Sequence, residues 1–597
     1  MFQKPKNFDT PAIVSRCNSS ECIQPHVPKS AKNGVKNRLR RIYNLATTQS
    51  ACHATTCDQL DRKHTVPKFQ NGLLAACLII TSILAPRAES APEADILLKG
   101  GTILDGAGGK PYEGSVAIQG GHIIAVGADA DASTAKQSID CKGLIICPGF
   151  IDLHNHSDST ILGSNGRSAR CYLTQGCTTL VTGNCGGGPT DVAKFYDDLD
   201  AKGTGINIAT LVPQGSVREK IMGNDLRAPK SDELKQMEDL ADAGMQQGAW
   251  GISTGLQYIP GAFAKTDELI AVSQAVAKHN GFYASHIRDE GDTLLESIQE
   301  VIDIAKGAHL PVHVSHLKSS KKPNWGKVRA AAHLIEQAQH DGIKITADQY
   351  PYTASSTSIM AMLLPDEERE GGERATAKRL KEEATAKRLR PIIAKGIEAR
   401  GPIQLATIKS KPEWVGKIIT DIAKTENREP VDVALEILTN DPDAAGVNFG
   451  MDEADVRFVM TLPWVATASD GSSKIDNGTR PHPRSFGTFS RKIGRYSIQE
   501  NVVPLPAAIR SATGLPADIL GMTDRGYLRK DTIADIAVID PKQFEDRATY
   551  EEPFKPSVGV RWLFLAGKAA IAEGVPQEVL AGKPLRRPPS TKANSVK

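Results

Sequence analysis

Eight short runs rich in β-branched and aromatic residues constrain this chain more than any other feature: IICPGFIDLHNH, TTLVTGNC, INIATLVP, AWGISTGL, FYASHIR, PVHVSHL, KITADQYPY and WVATASD. Helix-forming segments separate them, and the runs read as continuous apolar strands that end in polar residues. Strands of that kind are buried on both faces, which a parallel sheet covered by helices provides, and eight strand-then-helix units close into a barrel. The spacing is regular except between the seventh and eighth runs. The expected fold is α/β, a distorted TIM-like (β/α)8 barrel.

The 597 residues exceed the ~100–200 of an ordinary domain, so a barrel with appended parts is expected. Before the barrel, DILLKGGTILDGAGGKPYEGSVAIQGGHIIAVG reads as short strands punctuated by glycine pairs. GYLRKDTIADIAVID and VRWLFLAGKAAIAEG repeat that style near the other end, so both flanks are expected to close as one small β-sandwich. The resulting division is 91–146 and 516–597 for the sandwich with its tail, 147–354 for barrel strands one to seven, and 463–515 for strand eight and the end of the barrel. Between them, 355–462 is charged and helical, with ATAKRL at 375–380 and again at 384–389. It reads as an inserted small helical domain, either a lid over the barrel mouth or a solvated module.

Residues 1–65 lack hydrophobic periodicity and are expected to be disordered or to precede the true start; Cys17, Cys22, Cys52 and Cys57 are spaced too loosely for a zinc knuckle. Residues 66–90, with Lys63 just ahead of them, have the layout of a signal peptide: a basic lead of Lys63 and Lys68, an apolar run from Leu73 to Ala85, then Ala88 and Ser90. Export to the periplasm or beyond is expected, with a cytoplasmic enzyme as the alternative. The LAAC box is discounted as a lipidation site because the apolar run follows Cys77. A net charge of +3 over this length gives no reason for a nucleic-acid partner, and a thirteen-residue apolar run is short for a membrane span. Oligomeric state is not legible. Beyond the signal only Cys141, Cys147, Cys171, Cys177 and Cys185 remain, an odd number that argues against a disulfide framework.

Barrel active sites are assembled at the C-terminal ends of the strands. There the sequence places His154 and His156 after strand one, Cys185 after strand two, His286 on strand five, His316 on strand six and Asp470 after strand eight. Three glycines follow Cys185. If alternation holds, Val312, Val314 and His316 form one inward row, as do Ala284 with His286 and Ala468 with Asp470. His313 then faces outward as a packed histidine, and His279, His309, His333 and His340 are read as structural. Six candidate donors exceed the three or four that one zinc takes, which suits a site with room for two ions.

Taken together, GFIDLHNHSD, GNCGGG, SHIRDEG, HVSHLK, ADQYPYTASST, SDGSS and HPRSFGTF resemble the D-aminoacylase, or N-acyl-D-amino-acid deacylase, branch of the amidohydrolase superfamily, from about Ala94 to at least Ala581. The resemblance implies a distorted barrel with a β-sandwich from both chain ends and a small insertion. It implies a tight zinc on Cys185, His286 and His316, the cysteine standing where other members of the superfamily use a carboxylated lysine. It implies a weaker second position at His154, His156 and Asp470, with Asp470 also the catalytic acid/base. Lys318, Tyr350 and Arg484 match the group that holds the substrate carboxylate, with Ser356 assisting, and Arg288 and Glu290 are expected to brace the metal shell.

The expectation is therefore a zinc hydrolase cleaving N-acyl-D-amino acids, a small-molecule substrate, to a D-amino acid and a carboxylate. Its rivals are a cyclic amidase of the hydantoinase or dihydroorotase kind, disfavoured by the cysteine, and a metal-free barrel scaffold. Preference for a neutral or an acidic D-side chain is not legible; an acidic one would require a further basic group near the site.

Overall fold

The protein is represented by a computed structural model that describes residues 93–589. The expected extension and signal segment lie outside the described residues. The barrel is built of β1 (Phe150–Asp152), β2 (Cys177–Thr182), β3 (Asn207–Thr210, resumed at Val212–Pro213), β4 (Gly251–Gly255), β5 (Phe282–His286), β6 (Val312–Val314), β7 (Ile345–Gln349) and β8 (Val465–Thr467). Neighbours pair in parallel in chain order. The break in β3 leaves two hydrogen-bonded arcs, and the Asn155–Gly471 bridge joins β1 to β8 beyond their ends. Asp152 reinforces that joint: its buried carboxylate accepts the Ser469 N–H at 2.8 Å, the Ser469 hydroxyl at 2.5 Å and the Asn155 amide at 2.8 Å.

Ile151, Leu153, Val181, Ala209, Leu211, Phe282, Ala284 and Ala466 form the inner cluster. Leu180, Ile252, Tyr283, Val312, Val314, Ile345 and Val465 instead pack with helical Ile298, Val301, Ala331 and Ile335. The inward row expected for Val312 and Val314 is therefore overturned. His313 is the inward residue of β6, edge-on to Phe282 and paired in register with Ala284. β6 ends at Val314, and a turn with His316 at φ +38° redirects the chain, so alternation no longer applies.

Five N-terminal strands between Glu93 and Pro148 and four C-terminal strands between Ile536 and Pro576 form one nine-stranded sheet, joined where Ile145–Pro148 runs antiparallel to Ile536–Ile539. The sheet curls: Ile123 donates its N–H to Thr532 O at 2.8 Å and Ala534 donates to Gly121 O at 2.9 Å. Leu98, Val116, Ile118, Ile536, Val538 and Phe564 close the core of this small β domain.

The insertion is not purely helical. Ser355–Ser358, Ala445–Asn448 and Ile403–Thr407 make a three-stranded antiparallel sheet, and helices including Gly372–Leu380, Glu383–Arg400 and Pro430–Asn440 cover it around Leu389, Ile393, Leu405, Trp414 and Ile437. Strands of four or five residues, one reading SSTS, carry too little apolar alternation to stand out beside the charged helices.

Candidate metal centre

The strand ends bring all six expected ligands together. His154, His156, Cys185 and Asp470 form one group whose donor atoms lie within 4.8 Å of one another, and Cys185, His286 and His316 form a second, so the Cys185 sulfur is common to both. His154 Nε2 is 3.2 Å from that sulfur and 3.4 Å from Asp470 Oδ1, and His156 Nε2 is 3.0 Å from the same oxygen. His286 Nδ1 and His316 Nε2 are each 3.9 Å from the sulfur and 2.8 Å from one another.

Three of the six donors lie just past a strand end in the left-handed region: Cys185 at φ +51°, His316 at φ +38° and Asp470 at φ +50°. Such backbone costs roughly 1–3 kcal/mol per non-glycine residue and persists only where surroundings enforce it. Those surroundings are visible. The His316 N–H donates to Asp348 Oδ1 at 2.7 Å, and the Asp470 N–H donates to His154 O at 2.9 Å. Gly255 lets Cys185 approach: a Cβ there would lie 2.1 Å from Cys185 O.

Electrostatics favour metal-ready forms. Burial alone would raise the Cys185 thiol, but the imidazoles of His154 and His156 hold it well below the ordinary thiol range. Asp470 is also buried, yet Arg484, His316 and His154 keep its carboxyl well below the usual range. A thiolate with imidazoles is a donor set for zinc more than for calcium or magnesium, and the shared sulfur allows a pair of ions. By donor chemistry the site fits zinc.

The expected substrate group converges on the same place. Lys318, Tyr350, Ser356 and Arg484 line one cavity with His286, His316 and Asp470. Arg484 Nη1 is 2.7 Å from Asp470 Oδ2 but not aligned to hydrogen-bond it; Nη2 donates to Ser356 O at 3.3 Å. Tyr350, whose ring lies against Arg484, has a buried hydroxyl with no hydrogen-bond partner among the described residues. Lys318 is less free than expected: its ammonium contacts Glu290 and lies 2.8 Å from His316 Nδ1. Two larger cavities, of about 520 and 550 Å³, lie at the opposite end of the strands and contain none of these residues.

Glu290 braces the shell as expected, its Oε1 lying 2.8 Å from His316 Nδ1. Arg288 does not. It forks onto Glu300 at 2.8 and 3.0 Å and onto the carbonyls of Ala262 and Ala264, so it holds a loop outside the shell. Sequence reading missed Asp348, whose Oδ2 faces His154 Nδ1 at 3.3 Å and His313 Nε2 at 2.9 Å, while His313 Nδ1 bonds Thr346. The signal was a carboxylate within the short strand Ile345–Gln349, between buried Ala347 and Gln349, a placement rare without a partner. Gln257 was missed too; its Oε1 is 2.8 Å from His286 Nε2, and nothing local marks it.

Comparison with known proteins gives the same site a context. Residues 137–387 match the model of the amidohydrolase family. The chain is 32% identical to D-aminoacylase of Alcaligenes xylosoxydans xylosoxydans, over 83% of this chain and 98% of that protein. It is 31% identical to the N-acyl-D-glutamate deacylase of the same organism, over 83% and 96%. The solved structure of N-acyl-D-glutamate deacylase from Bordetella bronchiseptica, complexed with zinc and a phosphonate mimic of the tetrahedral intermediate, superposes with a TM-score of 0.72 at 31% identity, covering 83% of this chain and 100% of that one.

Proposed function

We propose a function from the premise that this chain belongs to the D-aminoacylase family of amidohydrolases. It is a zinc-dependent hydrolase of carbon–nitrogen bonds other than peptide bonds, and it cleaves the linear amide of N-acyl-D-amino acids to a D-amino acid and a carboxylate. The observation that carries the site assignment is the Cys185 sulfur common to two donor groups, beside a cavity where Tyr350 and Arg484 present donors without hydrogen-bond partners.

Cys185, His286 and His316 would hold the tighter zinc, and His154, His156 and Asp470 a weaker second one. Bound zinc supplies a Lewis acid that brings water's pKa from ~15.7 toward ~7 and polarises a carbonyl. The remaining work falls to the chain. Arg484 and Lys318 attract the substrate α-carboxylate, Tyr350 donates to it, and Ser356 supports Arg484. With the carboxylate fixed, the acyl carbon is held near Asp470. As water's oxygen adds to that carbon, Asp470 takes the proton released; as the C–N bond breaks, it returns the proton to the amine nitrogen. Arg484, His316 and His154 keep the buried carboxyl well below the usual range, so it is anionic at neutral pH.

The test is one assay matrix: purified protein with N-acetyl-D- and N-acetyl-L-methionine, -glutamate and -aspartate, with and without added zinc. D-selective, zinc-dependent release of acetate is expected. Equal D and L rates, or indifference to chelation, would sink the reading.

We also propose that the protein is exported. The basic lead, the apolar run from Leu73 to Ala85 and the small residues at Ala88 and Ser90 support this. Fractionation and N-terminal sequencing should find an exported form beginning near Ala91.

A further inference from the structure

The cavity at the metal centre has two lobes that share Tyr258, Ser356, Thr357, Asp470 and Arg484. The larger, about 440 Å³, lies on the His156 and Cys185 side, is lined by Gly186, Gly187, Gly215, Gly255 and Gly261, and has Glu219 and Glu373 at its lip. The smaller, about 40 Å³, lies on the His286, His316 and Lys318 side, and not one aliphatic side chain lines it. Apart from the rings of Tyr258 and Tyr350, an apolar D-side chain finds only polar and charged groups there.

Four cations line the smaller lobe. Lys318 is held by Glu290, Lys321 by Asp292 and Arg484 by Asp470. Arg400 alone keeps its terminal nitrogens without a hydrogen bond or ion pair among the described residues. Its Nε donates to Met362 O at 2.6 Å, which anchors the guanidinium at its base. The residue closes the helix Glu383–Arg400, so the inserted domain delivers it to the barrel. A half-buried guanidinium anchored on one side and open on the other is built to receive a planar anion.

We propose that Arg400 is the receptor for a second carboxylate on the substrate, so that N-acyl-D-amino acids with acidic side chains, the D-glutamates and D-aspartates, are the preferred class. The α-carboxylate meets Arg484, Lys318 and Tyr350, the side-chain carboxylate meets Arg400, and the acyl group occupies the glycine-lined lobe. The carboxylates at the lip of that lobe repel a second negative charge and so reinforce the orientation. The inference rests on the deacylase reading and narrows it.

The experiment compares kcat/KM of the zinc-loaded enzyme for N-acetyl-D-glutamate, -aspartate and -methionine in wild type, Arg400→Met and Arg400→Lys. Wild type is expected to favour one acidic substrate over methionine by about 10²-fold, and the two acidic substrates show which chain length reaches Arg400. A hydrogen bond to a charged group is worth enough to change that ratio by about 10- to 100-fold in Arg400→Met, mainly through KM, with partial recovery in Arg400→Lys. A wild type that prefers methionine, or an acidic preference that survives in Arg400→Met, overturns the inference and leaves the deacylase reading intact. If no N-acyl-D-amino acid is hydrolysed, the deacylase reading fails. Calorimetric binding of D-glutamate against D-methionine to wild type and Arg400→Met then decides the receptor directly: selectivity lost with Arg400 supports it, and equal binding overturns it.

Discussion

At the scale of single residues, this site is made by side chains that serve two partners. Cys185 is common to both donor groups, so Cys185→Ser is expected to lose both zinc positions together, measured as metal content after dialysis. Asp470 belongs to only one group. Asp470→Ala should therefore lower kcat by at least ~10³-fold while the purified protein keeps about one zinc on Cys185, His286 and His316. Asp348 is dual in another way: one oxygen faces His154 and His313, and the other fixes the backbone N–H of His316. It thus orients a ligand from each group. Asp348→Asn should weaken zinc binding by about 10- to 100-fold, read by competition with a chelator, and should affect both positions.

At the scale of elements, the ligands are delivered by strand ends, and the strand ends are held by backbone. Gly255, at the end of β4, admits the carbonyl of Cys185, so Gly255→Ala is expected to displace the sulfur and reduce bound zinc without unfolding the barrel. A second test concerns the segment Arg491–Gln499, which buries Lys492 with no hydrogen-bond partner for Nζ among the described residues. Burial pushes this lysine down to about 7, from the 10.5 of an exposed one. Below about pH 7 both folded and unfolded chains carry the proton, and the folded state bears the full cost. Between about pH 7 and 10 only the unfolded chain keeps it, so stability contributed by this group rises with pH, by roughly 3–5 kcal/mol in all. Lys492→Met should remove that rise and be more stable than wild type at pH 7, measured by urea unfolding at pH 7 and 9.5.

At the scale of the whole molecule, residues remote in the chain close the fold. Beyond the small β domain the chain returns beneath the barrel: Ile208 donates to Lys583 O at 2.9 Å, Leu585 to Ile208 O at 2.7 Å, and Arg587 to Gly248 O at 2.9 Å, while the Trp250 indole donates to Leu585 O at 2.6 Å. At about 1 kcal/mol each, loss of these bonds by truncation before Gly582 should cost several kcal/mol and lower Tm, without direct contact with the metal centre.

The eight strand runs, their order and the six strand-end ligand positions need only local pattern, because a strand buried on both faces is mainly apolar wherever it lies. The union of the two β-rich flanks was legible for the same reason. What the sequence by itself determined was thus the barrel, the kind of chemistry and the residue types that perform it. Only the tertiary structure decided that His313 faces inward, that Asp348 ties the two donor groups, that Arg288 serves a loop, and that Arg400 reaches the cavity from an inserted domain. These depend on turns with positive φ and on contacts between residues tens to hundreds of positions apart, where neither periodicity nor motif carries information.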